Sequence, residues 1–161
     1  MDSANVARFL SRMARRVPGH CAVKVPLGLK GDRIVYLERS FAELEADCDA
    51  VARFFQEKGI VQGTRVLLMV KPGLDLILTT FALFKMGAVP VAVDPGMGLK
   101  SFLNCVRRSQ PEVLVGIPLA LGISRIFRRA FRTVRIHIKA GSNSFLKLGE
   151  GYGGSGQESP L

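Results

Sequence analysis

The turn Asp94-Pro95-Gly96 holds a carboxylate at a position where α/β proteins often do chemistry. It directly follows the apolar stretch AVPVAV at 88–93, and ligands of such proteins bind at the carboxyl ends of strands. Asp94 could therefore act as a base or a metal ligand. It could also accept backbone hydrogen bonds within a Pro-Gly turn that has no ligand. Because no second carboxylate lies within motif distance of Asp94, we interpret the turn as a structural corner.

Two lysines and a glycine-rich segment are the other candidates for phosphate chemistry. Lys71 and Lys85 could contact phosphate, but positions flanking helices favour surface charges, with Lys85 near a helix C-terminus. GYGGSG at 151–156 has the spacing of the dinucleotide fingerprint. No strand immediately precedes it and only QESPL follows, so no helix N-terminus can receive a phosphate. We therefore predict no catalytic, cofactor-binding or metal-binding residues in this chain.

Histidines and cysteines give no metal or disulfide pattern. His20 and His137 are far apart in the sequence, which shows no zinc or catalytic-histidine spacing. Cys21, Cys48 and Cys105 are odd in number, widely spaced and set within apolar patterns. These features indicate reduced core thiols, and we expect a cytoplasmic protein.

Arginines supply much of the excess positive charge and raise the question of an anionic partner. The 161 residues include 23 Lys and Arg against 13 Asp and Glu, a formal charge of +10. Arg125, Arg128, Arg129 and Arg132 follow helical spacing within 124–135, and such a helix could lie on RNA phosphates or on anionic lipid. Helix surfaces are routinely charged, so we favour a solvated helix face.

Apolar residues limit the possible partners further. Phe127 and Phe131 are four residues apart and are expected to face the sheet, which argues against base stacking and against nucleic acid as a partner. The longest uncharged stretches, such as 113–124, are shorter than the roughly 20 apolar residues that a membrane-spanning helix needs. We therefore predict no membrane span.

A helix and a hairpin are predicted at the start of the chain. The first residues form an amphipathic helical pattern, with Asp2 or Ser3 as its N-cap. CAVKVP at 21–26 and RIVYLE at 33–38 alternate apolar and polar residues, and the glycines at 27–32 suit a connecting loop. This pattern predicts a β-hairpin.

The rest of the chain alternates helices and strands. Ser40 and Glu43 have the spacing of a capping box, so a helix begins there and closes at Gly59. Four apolar runs then predict strands separated by helices, at 65–70, 88–93, 112–117 and 133–138. The first two runs are apolar almost throughout, as strands buried on both faces are. We predict an α/β fold in which a βαβαβαβ parallel-sheet unit follows the helix and hairpin.

The last 22 residues lack periodicity. Glycine, serine and other polar residues dominate 140–161, which predicts a flexible, disordered or divergent tail. The expected organisation is one partial subdomain at 1–139 followed by this Gly/Ser-rich tail.

Three motifs resemble the N-terminal region of the adenylate-forming (AMP-dependent synthetase/ligase) superfamily, which includes acyl-CoA synthetases. SFAEL at 40–44 is similar to the family's T-Y-x-E-L, GTRV at 63–66 to its G-D-R-V, and KMGAVPVAVDP at 85–95 to its K-A-G-A-x-x-V-P-L-D-P. The sequences at 7–23 and 96–118 resemble those of fatty-acyl ligases of the olefin-biosynthesis β-lactone synthetase type. Thr64 departs from the family's usual Asp.

The resemblance implies a reaction and its ligands for a complete family member. That reaction joins a carboxylate, here a fatty acid, to ATP, releases pyrophosphate and transfers the acyl group, commonly to CoA. It implies a phosphate-binding loop with a lysine, a Glu for Mg²⁺, an Asp for the ribose and a lysine on a mobile C-terminal domain. We recognise none of these in the sequence. The chain is therefore expected to be a truncated ligase that is inactive alone, with no cofactor of its own.

Two alternatives stay open. Another polypeptide could complete the ATP-binding portion, which would make the chain one part of a split acyl ligase. The chain could instead be a basic α/β module that binds RNA or anionic lipid through its arginine-rich segment. The ligase interpretations predict uncovered apolar surface, and hence either a complementing polypeptide or self-association of the isolated chain.

Overall fold

The computed structural model describes residues 5–141, 143–146 and 148. Helices and strands alternate through most of this range, and the described part of the chain has the predicted α/β fold. In chain order the elements are α1 (Ala7–Arg16), β1 (Cys21–Lys30), β2 (Arg33–Ser40), α2 (Phe41–Glu57), β3 (Arg65–Met69), α3 (Leu74–Met86), β4 (Val89–Ala92), a 3-10 turn (Pro95–Met97), α4 (Leu99–Ser109), β5 (Val113–Gly116), α5 (Pro118–Ile126) and β6 (Ile136–Lys139).

The larger sheet is parallel and has the strand order β4-β3-β5-β6. Val66 of β3 pairs with Pro90 of β4 on one side and with Val113 of β5 on the other. β6 extends the sheet beyond β5, again in parallel. Parallel neighbours need crossover connections, which the intervening helices provide. The predicted parallel-sheet unit is confirmed.

β4 lies at an edge of this sheet, and the prediction that residues 88–93 are buried on both faces is wrong. Val89 is 45% exposed, whereas all four residues of β5 are buried. Proline has no N–H to donate to a ladder, so Pro90 suits an edge strand. Apolar composition alone did not distinguish this edge strand from the central strands.

Alternate side chains of the central strands supply two separate cores, one on each face of the sheet. Val66 and Leu68 of β3 contribute to the first core, and Leu67 between them contributes to the second. We call the corresponding sides the first face, covered by α1, α2 and α3, and the second face, covered by α4, α5 and the residues after α5. The buried members of the second core are Leu67, Phe102, Val106, Leu114 and Phe131.

The hairpin of β1 and β2 is antiparallel and longer than predicted. The expected loop at 27–32 is mostly strand, and only Gly31 and Asp32 connect the two strands. Gly31 has a φ of +63°, which a residue without a Cβ adopts at little steric cost. Leu27 and Leu29 are 48% and 75% exposed. The end of the hairpin therefore carries apolar side chains into solvent.

The first two helices begin differently: α2 has a side-chain cap, whereas the N-cap position of α1 has none. The Ser40 hydroxyl accepts a hydrogen bond from the Glu43 N–H, and the Ser40 N–H donates to the Glu43 carboxylate at 2.8 Å, which confirms the predicted capping box. This backbone hydrogen bond lowers the pKa of Glu43. The predicted caps of the first helix, Asp2 and Ser3, lie outside the described residues. α1 begins at Ala7, whose N–H donates to the Asn5 side chain at 3.0 Å.

The chain stays packed beyond residue 139, where the sequence predicted a tail. Ala140 is fully buried, Phe145 is 3% exposed and Leu146 is 9% exposed, and all three belong to the first core. The Phe145 ring meets the Phe55 ring edge-on, with 5.7 Å between centroids. This short segment buries too few residues to produce a helical or strand period, which explains why the sequence pattern did not reveal it.

A buried carboxylate on α3 holds this segment in place. Asp75 accepts hydrogen bonds from the backbone N–H groups of Gly141, Ser144 and Phe145 at 3.1, 3.0 and 3.2 Å. The Ser144 hydroxyl donates to the same carboxylate at 3.3 Å. We call this arrangement the Asp75 clasp. It compensates the desolvation of Asp75, which is only 5% exposed.

Candidate functional site

The Asp94-Pro95-Gly96 segment forms a turn, as its sequence indicated. Asp94 is exposed, and its carboxylate accepts a hydrogen bond from the Gly96 N–H at 2.8 Å. This contact caps the 3-10 turn that follows β4. A Cβ at Gly96 would lie 3.1 Å from the same carboxylate oxygen, so the compact turn favours glycine. The Asp94 carboxylate therefore stabilises the backbone of this turn.

Lys85 is not the surface charge that its position suggested. Its side chain is 14% exposed, and its ammonium contacts Glu45 at 2.7 Å and Asp49 at 2.5 Å. Burial alone would lower the pKa of Lys85, but its hydrogen bonds to Asp49 and Glu45 outweigh that effect and raise the pKa. Ser11 also donates to Glu45, so the cluster joins α1, α2 and α3. Lys71 is exposed, as predicted.

The three cysteines occupy different environments. Cys48 is fully buried in the first core, and burial raises the pKa of its thiol to about 12. Cys105 is half-buried and Cys21 is exposed, so the prediction of three core thiols is wrong for Cys21. Cys21 lies at the start of β1, a strand with many exposed positions. All three thiols are free.

Metal-ligand side chains do not gather within the described residues. No three His, Cys, Asp or Glu side chains in that part of the chain come together in a way that could hold a metal ion. The glycine-rich segment 151–156 lies outside the described residues. No helix within the same residues is both long and apolar enough to cross a bilayer.

Basic side chains from two segments of the second face surround a cleft, which we call the basic cleft. It has a volume of about 1060 Å³ and lies between α4 and residues 125–130. Leu103, Ile126 and Phe127 contribute apolar walls. A neighbouring hollow adds Arg132. The cations that line the basic cleft are Lys100, Arg107, Arg125, Arg128 and Arg129.

The arginines after α5 do not continue a helix, contrary to the sequence prediction. α5 ends at Ile126, and residues 127–133 form successive turns. Phe131 is 4% exposed and Phe127 is partly buried, and both pack on the second core as predicted. The Arg128 side chain donates back to a backbone carbonyl three residues earlier. The turns therefore bury the rings and leave the arginines exposed.

No acidic side chain lines the basic cleft among the described residues. Residues 95–148 contain ten Lys and Arg and a single acid, Glu112. Glu112 lies next to the start of β5, where its carboxylate is 4.0 Å from the Arg65 guanidinium. Burial, and then the positive charge of Arg125, lower the pKa of His137. The basic cleft therefore concentrates positive charge that can attract an anion.

Sequence reasoning assigned the basic surface to 124–135 alone and missed the contribution of α4. Lys100 and Arg107 are seven residues apart on α4, which places them on the same side of the helix. Phe102 and Val106 form the buried side. This amphipathic pattern was available in the sequence, but it did not show that α4 lies beside the arginines that follow α5.

Comparisons with known proteins agree with the motifs. A family model described as "AMP-binding enzyme" matches residues 11–146. The olefin beta-lactone synthetase of Xanthomonas campestris pv. campestris is 41% identical over 128 residues, which make up 78% of this chain and 23% of that protein. The chain therefore spans about a quarter of the length of this relative.

Two solved structures have similar folds. The long-chain-fatty-acid-CoA ligase FadD1 from Archaeoglobus fulgidus matches 98% of this chain with 32% of its own, at 16% identity and a TM-score of 0.75. The N-terminal domain of FACL13 from Mycobacterium tuberculosis matches 98% of this chain with 37% of its own, at 17% identity and a TM-score of 0.70. Together with the family match and the 41% identical relative, these findings confirm the resemblance: the chain belongs to the AMP-binding enzyme family.

Proposed function

We propose that this chain provides the N-terminal scaffold of a fatty-acyl adenylating ligase. The observation that carries the proposal is the match of residues 11–146 to the AMP-binding family. An olefin beta-lactone synthetase that is 41% identical to this chain over 128 residues supports it. The parallel sheet with helices on both faces is consistent with it. In such a ligase a fatty-acid carboxylate attacks the α-phosphate of ATP, the α–β phosphate bond breaks, and pyrophosphate leaves.

In this proposal the described residues form a scaffold, and other parts of the enzyme provide the groups that contact the reacting phosphate. Asp94 is engaged by a backbone N–H, and Lys85 is held between two carboxylates. Groups that stabilise the transferring phosphate must point at it directly. We therefore propose that the chain alone does not adenylate, and that fatty acid, ATP, Mg²⁺ and any CoA bind in the complete enzyme.

Exposed apolar side chains offer a surface on which the remaining portion of the enzyme can pack. Leu29 and Ile34 of the hairpin are 75% and 51% exposed, and Val89 on the edge strand β4 is 45% exposed. At about 25 cal/mol per Å², each 100 Å² of apolar surface left in water forgoes about 2.5 kcal/mol. We propose that these residues contact the rest of the ligase, on the same or a second polypeptide, and that the isolated chain self-associates through them.

Pyrophosphate exchange into ATP tests the proposal directly. The chain is assayed with a fatty acid, alone and after co-expression with the part of the Xanthomonas olefin beta-lactone synthetase that follows the matched region. We expect no exchange above an enzyme-free blank for the chain alone and measurable exchange for the pair. Exchange by the chain alone would overturn the claim of an incomplete catalyst, and an inactive but stably associated pair would count against the scaffold role.

A matched pair of surface variants locates the proposed packing surface. Leu29→Asp places a charge on the hairpin and should reduce the exchange activity of the pair at least tenfold. Val61→Asp alters a side chain of similar exposure, 65%, in the connection after α2 and should leave the activity within twofold. Equal losses for the two variants would contradict the assignment of the hairpin.

The cysteines support a cytoplasmic location for the complete ligase. The three cysteines form no disulfide with one another in the part of the chain that the structure describes, and the Cys21 thiol is exposed. Free thiols are kept reduced in the cytosol, whereas secreted proteins commonly oxidise exposed pairs. Fractionation of cells that express the chain, with the thiol state of Cys21 read by alkylation, tests this location.

A further inference from the structure

We infer that the basic cleft and the exposed side of α5 form a surface that binds anionic membrane lipid. The inference goes beyond the proposed ligase scaffold and does not depend on it, because it rests only on the charge and exposure of residues 97–132. Failure of the exchange assay would leave it intact.

The first support is the concentration of positive charge. Five cations line one open cleft, and none of the described residues that line it is acidic. The Arg107 side chain donates to the neutral Asn104 side chain, and the Arg128 side chain donates to a backbone carbonyl, so neither charge is neutralised by these contacts. Guanidinium groups bind phosphate oxygens in a bidentate manner. Lipid phosphates are therefore suitable counter-ions.

The second support is a set of apolar side chains that are exposed beside these cations. Leu119 and Ile126 are 69% and 75% exposed and lie seven residues apart on α5, which places them on one side of the helix. Arg125 immediately precedes Ile126. Leu99, which is 54% exposed, immediately precedes Lys100 on α4. Apolar side chains flanked by basic ones are typical of helices that lie in a membrane interface.

Aromatic residues decide between lipid and RNA. Single-stranded nucleic acids stack their bases on exposed aromatic rings. Here the Phe131 ring is 4% exposed, and Phe127, the single aromatic among the described residues that line the basic cleft, is half-buried and packs against the second core. The large side chains exposed on α5 are aliphatic: Ile126 lines the basic cleft beside the arginines, and Leu119 lies seven residues earlier on the same side of the helix. Aliphatic groups can enter the acyl boundary of a bilayer but offer no stacking face.

A tryptophan reporter tests contact with the bilayer. The chain contains no Trp, so Ile126→Trp introduces a single fluorophore beside the basic cleft. We expect a blue shift of its emission on adding phosphatidylcholine vesicles that contain phosphatidylglycerol, and no shift with pure phosphatidylcholine. Val61→Trp, at a site 65% exposed and outside the basic cleft, is the matched reporter and should not shift. Absence of a shift for Ile126→Trp on anionic vesicles would overturn the inference.

Charge variants test the electrostatic part by vesicle sedimentation. We expect R125Q/R128Q/R129Q to reduce affinity for the anionic vesicles at least tenfold, whereas R12Q/R15Q/R16Q, which removes the same charge from α1, changes it less than threefold. Raising the ionic strength should weaken the binding of the unmodified chain to the anionic vesicles. Equal losses in both variants would contradict the assignment, as would binding to an RNA homopolymer without binding to vesicles. Thermal unfolding shows whether the variants fold. If R125Q/R128Q/R129Q does not fold, the comparison of Ile126→Trp with Val61→Trp tests the inference instead.

Discussion

The two faces of the parallel sheet use charge in opposite ways. On the first face, Lys85 lies between Glu45 and Asp49, and the buried carboxylate of Asp75 accepts three backbone hydrogen bonds. On the second face, the five cations of the basic cleft have no acidic neighbour among the described residues that line it. A buried charge requires a partner, whereas water solvates an exposed arginine.

The same division runs along the sequence. Residues 1–94 contain 13 Lys and Arg against 10 Asp and Glu, whereas residues 95–148 contain 10 against one. The Lys85 cluster joins three helices on the first face, and the Asp75 clasp holds the segment that follows β6. The first face therefore pairs its charges within the fold, whereas the second presents cations with no acidic residue among the described residues that line the basic cleft.

The largest expected effect comes from removing an aromatic ring from the first face. Phe145→Ala deletes a side chain that is 3% exposed and contacts the rings of Phe54 and Phe55. We expect it to lower the free energy of unfolding by about 3–5 kcal/mol. Phe127→Ala on the second face removes a partly buried ring and should cost less than half as much. Urea denaturation of both variants measures the difference in the free energy of unfolding. Equal losses would show that the two rings contribute equally to stability, contrary to the prediction.

The Asp75 clasp should give the next largest effect. Asp75→Ala leaves the backbone N–H groups of Ser144 and Phe145 without their acceptor, whereas the Gly141 N–H keeps the Ser144 hydroxyl at 3.1 Å, and we expect a loss of about 2–3 kcal/mol. Asp94→Ala removes an exposed carboxylate with one such bond and should cost about 1 kcal/mol or less. Hydrogen exchange of the Ser144 and Phe145 N–H groups should accelerate only in Asp75→Ala. Unchanged protection there would mean that apolar packing alone holds the segment.

Lys85→Met tests the paired charge itself. It leaves Glu45 and Asp49 without their cation, and because Asp49 is half-exposed we expect a loss of only about 1–3 kcal/mol. Arg128→Met on the second face removes a cation without an acidic partner among the cleft residues and should change stability by less than about 0.5 kcal/mol. Thermal melts at neutral pH compare the two, and a larger loss for Arg128→Met would reverse the assignment of the faces.

The smallest effect concerns His137. Its pKa is lowered in the folded protein, so as pH falls through the ordinary value of 6.5 the unfolded chain binds a proton first and stability decreases slightly. Arg125→Gln removes one cause of the shift and should raise the pKa, which an NMR titration of the imidazole can follow. A pKa that falls in Arg125→Gln would contradict the proximity of these two charges.

The sequence predicted the elements whose signals are local. The capping box at Ser40, the turn at Asp94 and the alternation of apolar runs with helices all depend on neighbouring residues, and all three are confirmed. Pro90 was also a local indication of an edge strand, because proline has no N–H for the ladder. The apolar residues around it led instead to the prediction of a strand buried on both faces.

The features that sequence reasoning missed join distant residues. Three of them depend on the tertiary fold: the approach of α4 to the arginines after α5, the position of Lys85 between two carboxylates, and the contact of Asp75 with Gly141, Ser144 and Phe145. No period in the sequence encodes them. The basic cleft was therefore only half predicted, since Arg125, Arg128 and Arg129 were identified and Lys100 and Arg107 were not.

The Asp75 clasp has a consequence for the order of folding. Its hydrogen bonds join positions that are 66, 69 and 70 residues apart. Contacts of such long sequence separation must overcome loop-closure entropy and slow the search for the native state. On the ribosome, all four strands of the parallel sheet are synthesised before residues 141–145. We therefore expect nascent chains to assemble the sheet first and to complete the first core only when this last segment has been released.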